Sequence, residues 1–323
     1  MLPLRQLGSS DLQISPVGVG SAPMGSTPDW FVYWGPQAED ASIRTIHAAL
    51  DVGINWIDTA PCYGWGRAET VVGNALKGRR DKAYIFTKAG IYNDPGKRVI
   101  VDLRPESLKT EIEGSLQRLQ TDHVDLYQFH EPDPSVPIEE SWGAVQELIK
   151  EGKVRHGGLS NHSAELIARA MTVGPVVSLQ DQYSLLARRV EETSLPFVHA
   201  NSIGFLAWSP LASGFLVDGF DLETLDANDF RRGRALAKEP NATPLKVLRA
   251  KLAEIAGDLG CSMAELSLAW LLNNPAVKAA IVGMQSPDEP APAVRATSLT
   301  LSDSVKSAIQ AALDEYPLPP PTR

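Results

Sequence analysis

Short apolar runs alternate along the chain with longer segments in which apolar residues recur every three or four positions. The runs predict buried strands and the periodic segments predict amphipathic helices. The predicted strands span residues 17–20, 54–57, 84–88, 124–130, 153–160, 176–180, 204–208 and 279–282. The predicted helices span residues 39–52, 69–76, 105–119, 138–150, 163–171, 191–201, 245–259, 263–272 and 304–313. This steady alternation predicts an α/β fold, a (β/α)8 barrel with parallel strands inside and helices outside.

Three segments depart from the alternation. Turn residues 8–11 separate two short alternating runs and predict an N-terminal β-hairpin over residues 1–15. Residues 212–244 have few periodic apolar positions, and we expect a long functional loop over a cofactor. Residues 314–323, proline-rich from position 317, are expected to form an extended tail. Because composition does not change along the chain, residues 1–323 are expected to form one barrel domain.

Composition excludes several classes of protein. The chain is 43% hydrophobic and 21% charged, which is typical of a globular protein, and its net charge of −9 argues against non-specific nucleic-acid binding. No apolar run approaches the ~20 residues that span a membrane, and the N-terminus lacks the apolar segment of a signal peptide. Cys62 and Cys261 are far apart, so we expect reduced thiols in a cytoplasmic protein. The oligomeric state is left open.

Polar side chains stand at the ends of three predicted strands. Asp58, Lys88 and His130 each end an apolar run, and Tyr63 lies on the loop after Asp58. The carboxyl ends of barrel strands meet on one face, so these side chains are expected to lie together. A phenol needs help to exchange protons at neutral pH, and a lysine held by a carboxylate lowers its pKa. The four residues therefore predict an acid–base site, and isolated histidines and cysteines predict no metal site.

With these residues, the chain resembles the aldo-keto reductase family, whose Asp, Tyr, Lys and His motifs read here Asp58-Thr59-Ala60, Tyr63-Gly64, Thr87-Lys88 and His130. The resemblance extends from about residue 4 to residue 313. It implies that the hairpin closes the bottom of the barrel and that NADP(H) and/or NAD(H) is the cofactor. It also implies that Tyr63 is the general acid/base, that Lys88 lowers its pKa, and that His130 polarises a carbonyl.

The resemblance also assigns cofactor contacts. Those implied at the nicotinamide are Ser160, Asn161, Gln180 and Trp208, and those implied at the pyrophosphate are Ser209 and Leu211. Beyond the eighth strand the family reads G-A-R-x-P-x-Q, where the arginine grips the 2′-phosphate of NADP. Here Gly283 begins the motif, Gln285 replaces the arginine and Glu289 replaces the glutamine. We expect weak discrimination between NAD(H) and NADP(H), unless the loop supplies a phosphate ligand from Arg231, Arg232 or Arg234.

The substrate pocket is predicted from fewer signals. Trp30 on the aromatic loop 21–37, Trp65 and Glu131 are expected to line it. Glu131 stands where relatives often carry tryptophan, and its carboxylate favours a hydroxylated or cationic substrate. The predicted reaction is reversible hydride transfer between NAD(P)H and an aldehyde, ketone or sugar carbonyl. Two alternatives stay open: an NAD-dependent sugar or polyol dehydrogenase, and a non-catalytic binding module like the potassium-channel β subunits.

Overall fold

The computed structural model describes residues 2–93 and 99–318. The strands among them are β1 Arg5–Gln6, β2 Gln13–Ile14, β3 Val17–Gly20, β4 Trp56–Asp58, β5 Tyr84–Ala89, β6 Ile91–Asn93, β7 Val99–Val101, β8 Val124–Phe129, β9 Val154–Ser160, β10 Ser178–Gln182, β11 Gly204–Trp208 and β12 Val277–Gly283. Eight of these strands form a closed parallel barrel in the order β3-β4-β5-β8-β9-β10-β11-β12. The predicted (β/α)8 barrel is therefore confirmed.

The helices are α1 Glu39–Asp51, α2 Arg67–Ala75, α3 Pro105–Leu119, α4 Ile138–Lys150, α5 Ala164–Met171, α6 Ser194–Ala200, α7 Ala242–Asp258, α8 Met263–Leu272, α9 Pro290–Ala296 and α10 Asp303–Glu315. Local signals set their ends. Pro105 starts α3 at a position where a missing N–H costs nothing. Ser262 and Glu265 form a reciprocal capping box at the start of α8. Apolar faces of the helices pack on the outside of the barrel to form the main core.

The N-terminal hairpin fills the end of the barrel where the strands begin. β1 pairs antiparallel with β2, and Leu7, Leu12 and Ile14 are buried against the barrel interior. The Trp56 indole lies in the same cluster and donates to Ser15 O at 2.9 Å. No side chain fits at Gly18, since a Cβ there would lie 2.2 Å from the Trp56 ring. The hairpin does not cover the opposite end of the barrel, where the carboxyl ends of the strands lie.

The structure also differs from the sequence prediction. The antiparallel pair β6–β7 and the helix α9 were not predicted, because both are short and Pro290 and Pro292 interrupt the apolar pattern of α9. Residues 212–244 contain four short 3₁₀ turns and the start of α7. Helix α10 extends to Glu315, so the tail is not extended from residue 314, and residues 319–323 lie outside the described residues.

Within the described residues, no single helix is long and apolar enough to cross a bilayer. Helices α7 and α8 taken together, bent by 83°, have the required length and composition.

Candidate active site

The four candidate catalytic residues meet at the carboxyl ends of the barrel strands. Asp58 is the last residue of β4, Lys88 is the penultimate residue of β5, and His130 directly follows β8. Tyr63 lies in the turn between β4 and α2. Lys88 Nζ lies 2.5 Å from Asp58 Oδ1 and 3.1 Å from the Tyr63 hydroxyl. Strand topology thus brings together side chains that the sequence separates by up to 72 positions, from Asp58 to His130.

The Lys88 ammonium is buried and fully hydrogen-bonded. Its side chain has 0% exposure, and its third N–H donates to Thr59 O at 3.0 Å. An ammonium has three donors, and here all three have partners. A buried charge without such partners would be strongly destabilising. The charge is therefore held in one position beside the Tyr63 oxygen.

Two amides hold the second oxygen of Asp58. Asp58 Oδ2 accepts from Gln180 Nε2 at 2.8 Å and from Gln128 Nε2 at 3.3 Å. The two glutamines also contact each other, with Gln180 Nε2 3.2 Å from Gln128 Oε1. The sequence reasoning did not identify Gln128, and the available signal was a polar residue inside the fully buried strand β8. Within the described residues Gln180 Oε1 has no hydrogen-bond partner, so it remains available to a ligand amide.

Burial sets the protonation state of the two residues that face the cavity. It raises the pKa of Tyr63 above its usual value, and the Lys88 charge opposes this without cancelling it. Lys88 therefore acts in the predicted direction, but the Tyr63 pKa does not fall below that of a free phenol. Burial and the Lys88 charge lower the pKa of His130 well below its usual value. At neutral pH the site holds a protonated phenol and a neutral imidazole.

Close backbone packing fixes the turn that carries Tyr63. Gly64 has φ +59°, and a Cβ there would lie 1.8 Å from Gly25 O. Only glycine allows this conformation and this contact without strain. The turn therefore rests directly on the 3₁₀ turn Ala22–Gly25. The Trp30 ring packs on the Tyr63 ring with centroids 5.8 Å apart, which supports one side of the phenol.

A cavity of about 820 Å³ opens beside these residues. All the predicted cofactor-binding residues line it, namely Ser160, Asn161, Gln180, Trp208, Ser209, Leu211, Gly283, Gln285 and Glu289. Asn161 is already held by protein groups: its Nδ2 donates to Glu131 Oε1 at 2.7 Å and to His130 O at 3.0 Å, and its Oδ1 accepts from Trp208 Nε1 at 3.1 Å. These bonds join the ends of β8, β9 and β11 into one wall.

At the far end of the cavity, Glu289 occupies a pair of backbone donors. Its Oε2 accepts from the N–H groups of Gln285 at 2.6 Å and Ser286 at 3.3 Å. The Gln285 side chain points elsewhere, with Nε2 3.4 Å from Gln37 Oε1. The Glu289 carboxylate therefore already accepts hydrogen bonds from the two backbone N–H groups that an anionic group of a ligand would use.

The three arginines of the long loop have different environments. Arg231 pairs with Asp229 at 2.7 Å, and Arg232 donates to the backbone oxygen of Asp226 at 3.0 Å. Arg234 lines the cavity, and its guanidinium lies 5.8 Å from the Phe230 ring centroid. Arg234 makes no ion pair within residues 2–93 and 99–318. It is therefore the loop arginine whose charge is available to a bound anion.

The aromatic wall differs from the one predicted. Trp30 and Trp65 are not among the cavity-lining residues, because Trp30 is buried behind Tyr63 and Trp65 packs on Phe31 with centroids 5.9 Å apart. The residues of this loop that do line the cavity are Phe31, Val32 and Trp34. Glu131, the third predicted pocket residue, does line it.

The donor set fits a nicotinamide cofactor. One cavity is lined by Asp58, Tyr63 and His130, by Gln180 with its amide oxygen, by the indole of Trp208 and, at the far end, by Glu289. Its volume of about 820 Å³ lies within the range of roughly 300–1,000 Å³ found for ligand sites. Among the described residues, no three His, Cys, Asp or Glu side chains are arranged to hold a metal ion.

Fold and site together define an oxidoreductase built on a (β/α)8 barrel. Residues 16–314 match the model of the Aldo/keto reductase family, and the chain belongs to this family. Aldo-keto reductases generally reduce carbonyl groups with NAD(P)H.

Individual relatives resemble nearly the whole chain. Aldo-keto reductase YhdN of Bacillus subtilis (strain 168) is 34% identical over 312 residues, which cover 95% of this chain and 92% of that protein. The structure of the glycerol dehydrogenase AKR11B4 from Gluconobacter oxydans superimposes with a TM-score of 0.88, 31% identity and 99% of each chain covered. The holo form of aldo-keto reductase AKR11C1 from Bacillus halodurans gives a TM-score of 0.80 and 30% identity, with 97% of this chain and 96% of that one covered.

Proposed function

We propose that the chain catalyses reversible hydride transfer between a nicotinamide cofactor and the carbonyl of an aldehyde or ketone, with Tyr63 as the general acid/base. One observation carries the proposal. The Lys88 ammonium lies 3.1 Å from the Tyr63 hydroxyl and 2.5 Å from Asp58, at the wall of a cavity of ligand size. A buried phenol held by a paired lysine is an arrangement for proton transfer and has no evident structural purpose.

The residues act on the oxygen of the substrate. When bound, the reduced nicotinamide supplies the hydride that the carbonyl carbon receives. Tyr63 donates its proton to the oxygen as negative charge develops there, and Lys88 stabilises the phenolate left behind. His130, neutral at neutral pH, donates a second hydrogen bond to the same oxygen. In the oxidative direction the phenolate of Tyr63 removes the alcohol proton.

In this proposal, different residues of the cavity bind different parts of the cofactor. Ser160, Asn161 and Gln180 would hold the carboxamide, and Trp208 would cover one face of the ring. Ser209 and Leu211 would lie at the pyrophosphate.

We further infer that NAD(H) is used alongside NADP(H). The Glu289 carboxylate repels a phosphate and can accept ribose hydroxyls instead, whereas Arg234 can partly offset that repulsion.

A second candidate is the oxidation of a polyol or sugar in the same site. Glu131 lines the cavity and can accept hydrogen bonds from substrate hydroxyls. A relative with 31% identity is named a glycerol dehydrogenase, which supports this direction. Both candidates use the same four residues and differ in the substrate that gives the higher kcat/KM.

The test is an activity assay on a panel of aldehydes, ketones, sugars and polyols. Turnover is measured from the absorbance of the reduced cofactor, with NADPH, NADH and their oxidised forms each supplied in turn. Tyr63→Phe is expected to reduce kcat by about 10²–10⁴ while cofactor affinity is retained. Tyr84→Phe, at the opposite end of β5, is the control and is expected to retain full activity. Cofactor binding without turnover of any compound would favour the binding-module alternative, and full activity of Tyr63→Phe would remove Tyr63 from the mechanism.

A further inference from the structure

The role proposed for His130 requires one particular tautomer. A neutral imidazole has one N–H donor and one acceptor nitrogen, and a neighbouring hydrogen bond decides which nitrogen carries the proton. Donation to a substrate oxygen requires the proton on the nitrogen that faces the cavity. Burial and the Lys88 charge lower the pKa of His130, so the imidazole is neutral and its proton lies on one of the two ring nitrogens.

The structure places a thiol against the other nitrogen. Cys62 Sγ lies 3.5 Å from His130 Nδ1, and within the described residues it is the only hydrogen-bonding partner of that nitrogen. Cys62 immediately precedes Tyr63 in the glycine-held turn and is 5% exposed. The His130 backbone N–H donates to Ala89 O at 3.0 Å, which fixes the backbone position from which the imidazole extends. Nε2 is the nitrogen left to face the cavity, which His130 lines.

The direction of this hydrogen bond follows from the chemistry of the two groups. Burial raises the pKa of Cys62, so the group is a neutral thiol with a proton to donate. The sulfur of a thiol is a weak acceptor, whereas an unprotonated imidazole nitrogen is a good one. The S–H···Nδ1 arrangement is therefore favoured over N–H···S. With Nδ1 acting as acceptor, the imidazole proton lies on Nε2.

We propose that Cys62 is a positioning residue that donates to His130 Nδ1 and thereby keeps His130 in the Nε2–H tautomer. The proposal rests on the function proposed above only for its consequence, the hydrogen bond from Nε2 to the substrate oxygen. The tautomer itself is a property of the protein and is measurable without turnover.

The matched pair Cys62→Ser and Cys62→Ala tests the proposal, since the two replacements have nearly the same volume and differ by one hydroxyl. Long-range ¹H–¹⁵N spectra of the NADPH-bound protein report which ring nitrogen of each histidine is protonated, and a His130→Gln variant identifies the His130 signals. We expect Nε2–H with an unprotonated Nδ1 in the wild type and in Cys62→Ser. In Cys62→Ala we expect an increased Nδ1–H population.

Activity provides the second readout, with glyceraldehyde as the probe substrate. Loss of one neutral hydrogen bond changes the ratio of the two tautomers by about two- to tenfold, so kcat of Cys62→Ala should fall with the lost Nε2–H fraction, by at most that factor. Cys62→Ser should restore most of it, with KM for NADPH unchanged in both. Cys261→Ala, which removes the distant cysteine, is expected to behave as wild type.

Three results would overturn the proposal: Nδ1–H in the wild type, an unchanged tautomer in Cys62→Ala, or a rate loss in Cys62→Ser equal to that in Cys62→Ala. The last result would assign the effect to packing of the turn. A wild-type protein that shows the Nε2–H tautomer but has no carbonyl activity would contradict the proposed function and leave the role of Cys62 in the tautomer intact.

Discussion

Replacing Lys88 by methionine tests the two roles of this residue, one in stability and one in catalysis. Methionine keeps most of the length of the side chain and removes its charge and its three N–H donors. In the structure those donors bind Asp58, Thr59 O and the Tyr63 hydroxyl. The variant therefore loses a buried ion pair and the cation beside the phenol at the same time.

The magnitudes follow from the geometry. Removal of one partner of a buried pair leaves Asp58 uncompensated, which costs about 3–5 kcal/mol of stability. For the chemistry, a charge 3.1 Å from the phenolate oxygen is worth roughly 5 kcal/mol at an effective dielectric constant of about 20, or on the order of 10⁴ in the acidity of Tyr63. Alcohol oxidation, which needs the phenolate, should begin at a higher pH than in the wild type.

The double variant Asp58→Asn/Lys88→Met distinguishes stability from catalysis. It replaces the unpaired carboxylate by a neutral amide, so much of the lost free energy of unfolding should return while the turnover remains low. Urea denaturation measures the first quantity, and the pH profile of kcat/KM for the best alcohol substrate found in the panel measures the second. If the double variant regained both stability and wild-type turnover, the charge of Lys88 would have no part in the reaction.

Two further predictions concern cofactor choice and the buried carboxyl group of Glu111. Glu289→Gln is expected to raise the ratio of kcat/KM for NADPH to that for NADH by about tenfold, because one charged contact is worth on the order of 1.5 kcal/mol. Arg234→Ala is expected to lower the same ratio. Unchanged ratios would exclude both residues from cofactor choice. Glu111 accepts from the Gly90 N–H at 2.7 Å, and burial raises its pKa from 4.5 to about 8. The unfolded chain releases this proton at a lower pH than the folded protein does. The free energy of unfolding should therefore fall by up to about 5 kcal/mol as the pH rises from about 4.5 to about 8. Thermal denaturation of Glu111→Gln should show a smaller fall over the same pH range. Equal slopes in the two proteins would show that Glu111 is ionised in the fold.

Much of the architecture could be predicted from the sequence. Period-two and period-3.6 patterns are local, so the barrel strands and most helices were found close to their observed bounds. Asp58, Lys88 and His130 could be placed at one face because the carboxyl ends of parallel barrel strands must converge there. The short helix α9 was missed because seven residues with two prolines carry too little periodic signal.

The details of the site depended on tertiary structure, because they are contacts between residues far apart in sequence. Gln128 and Gln180 reach Asp58 across 70 and 122 positions, and Cys62 reaches His130 across 68. Side-chain direction, which no local pattern encodes, buried Trp30 behind the phenol and left other residues of its loop to line the cavity.

The protonation state of Tyr63 shows the same division. The sequence identified the neighbouring cation and therefore one direction of its effect on the pKa. The depth of burial, which raises the pKa by more than Lys88 lowers it, depends on how the whole barrel and its loops pack around the phenol. The sequence thus determined which groups are present at the site, and only the packed structure determined the energy of their charges, because desolvation depends on every atom that displaces water.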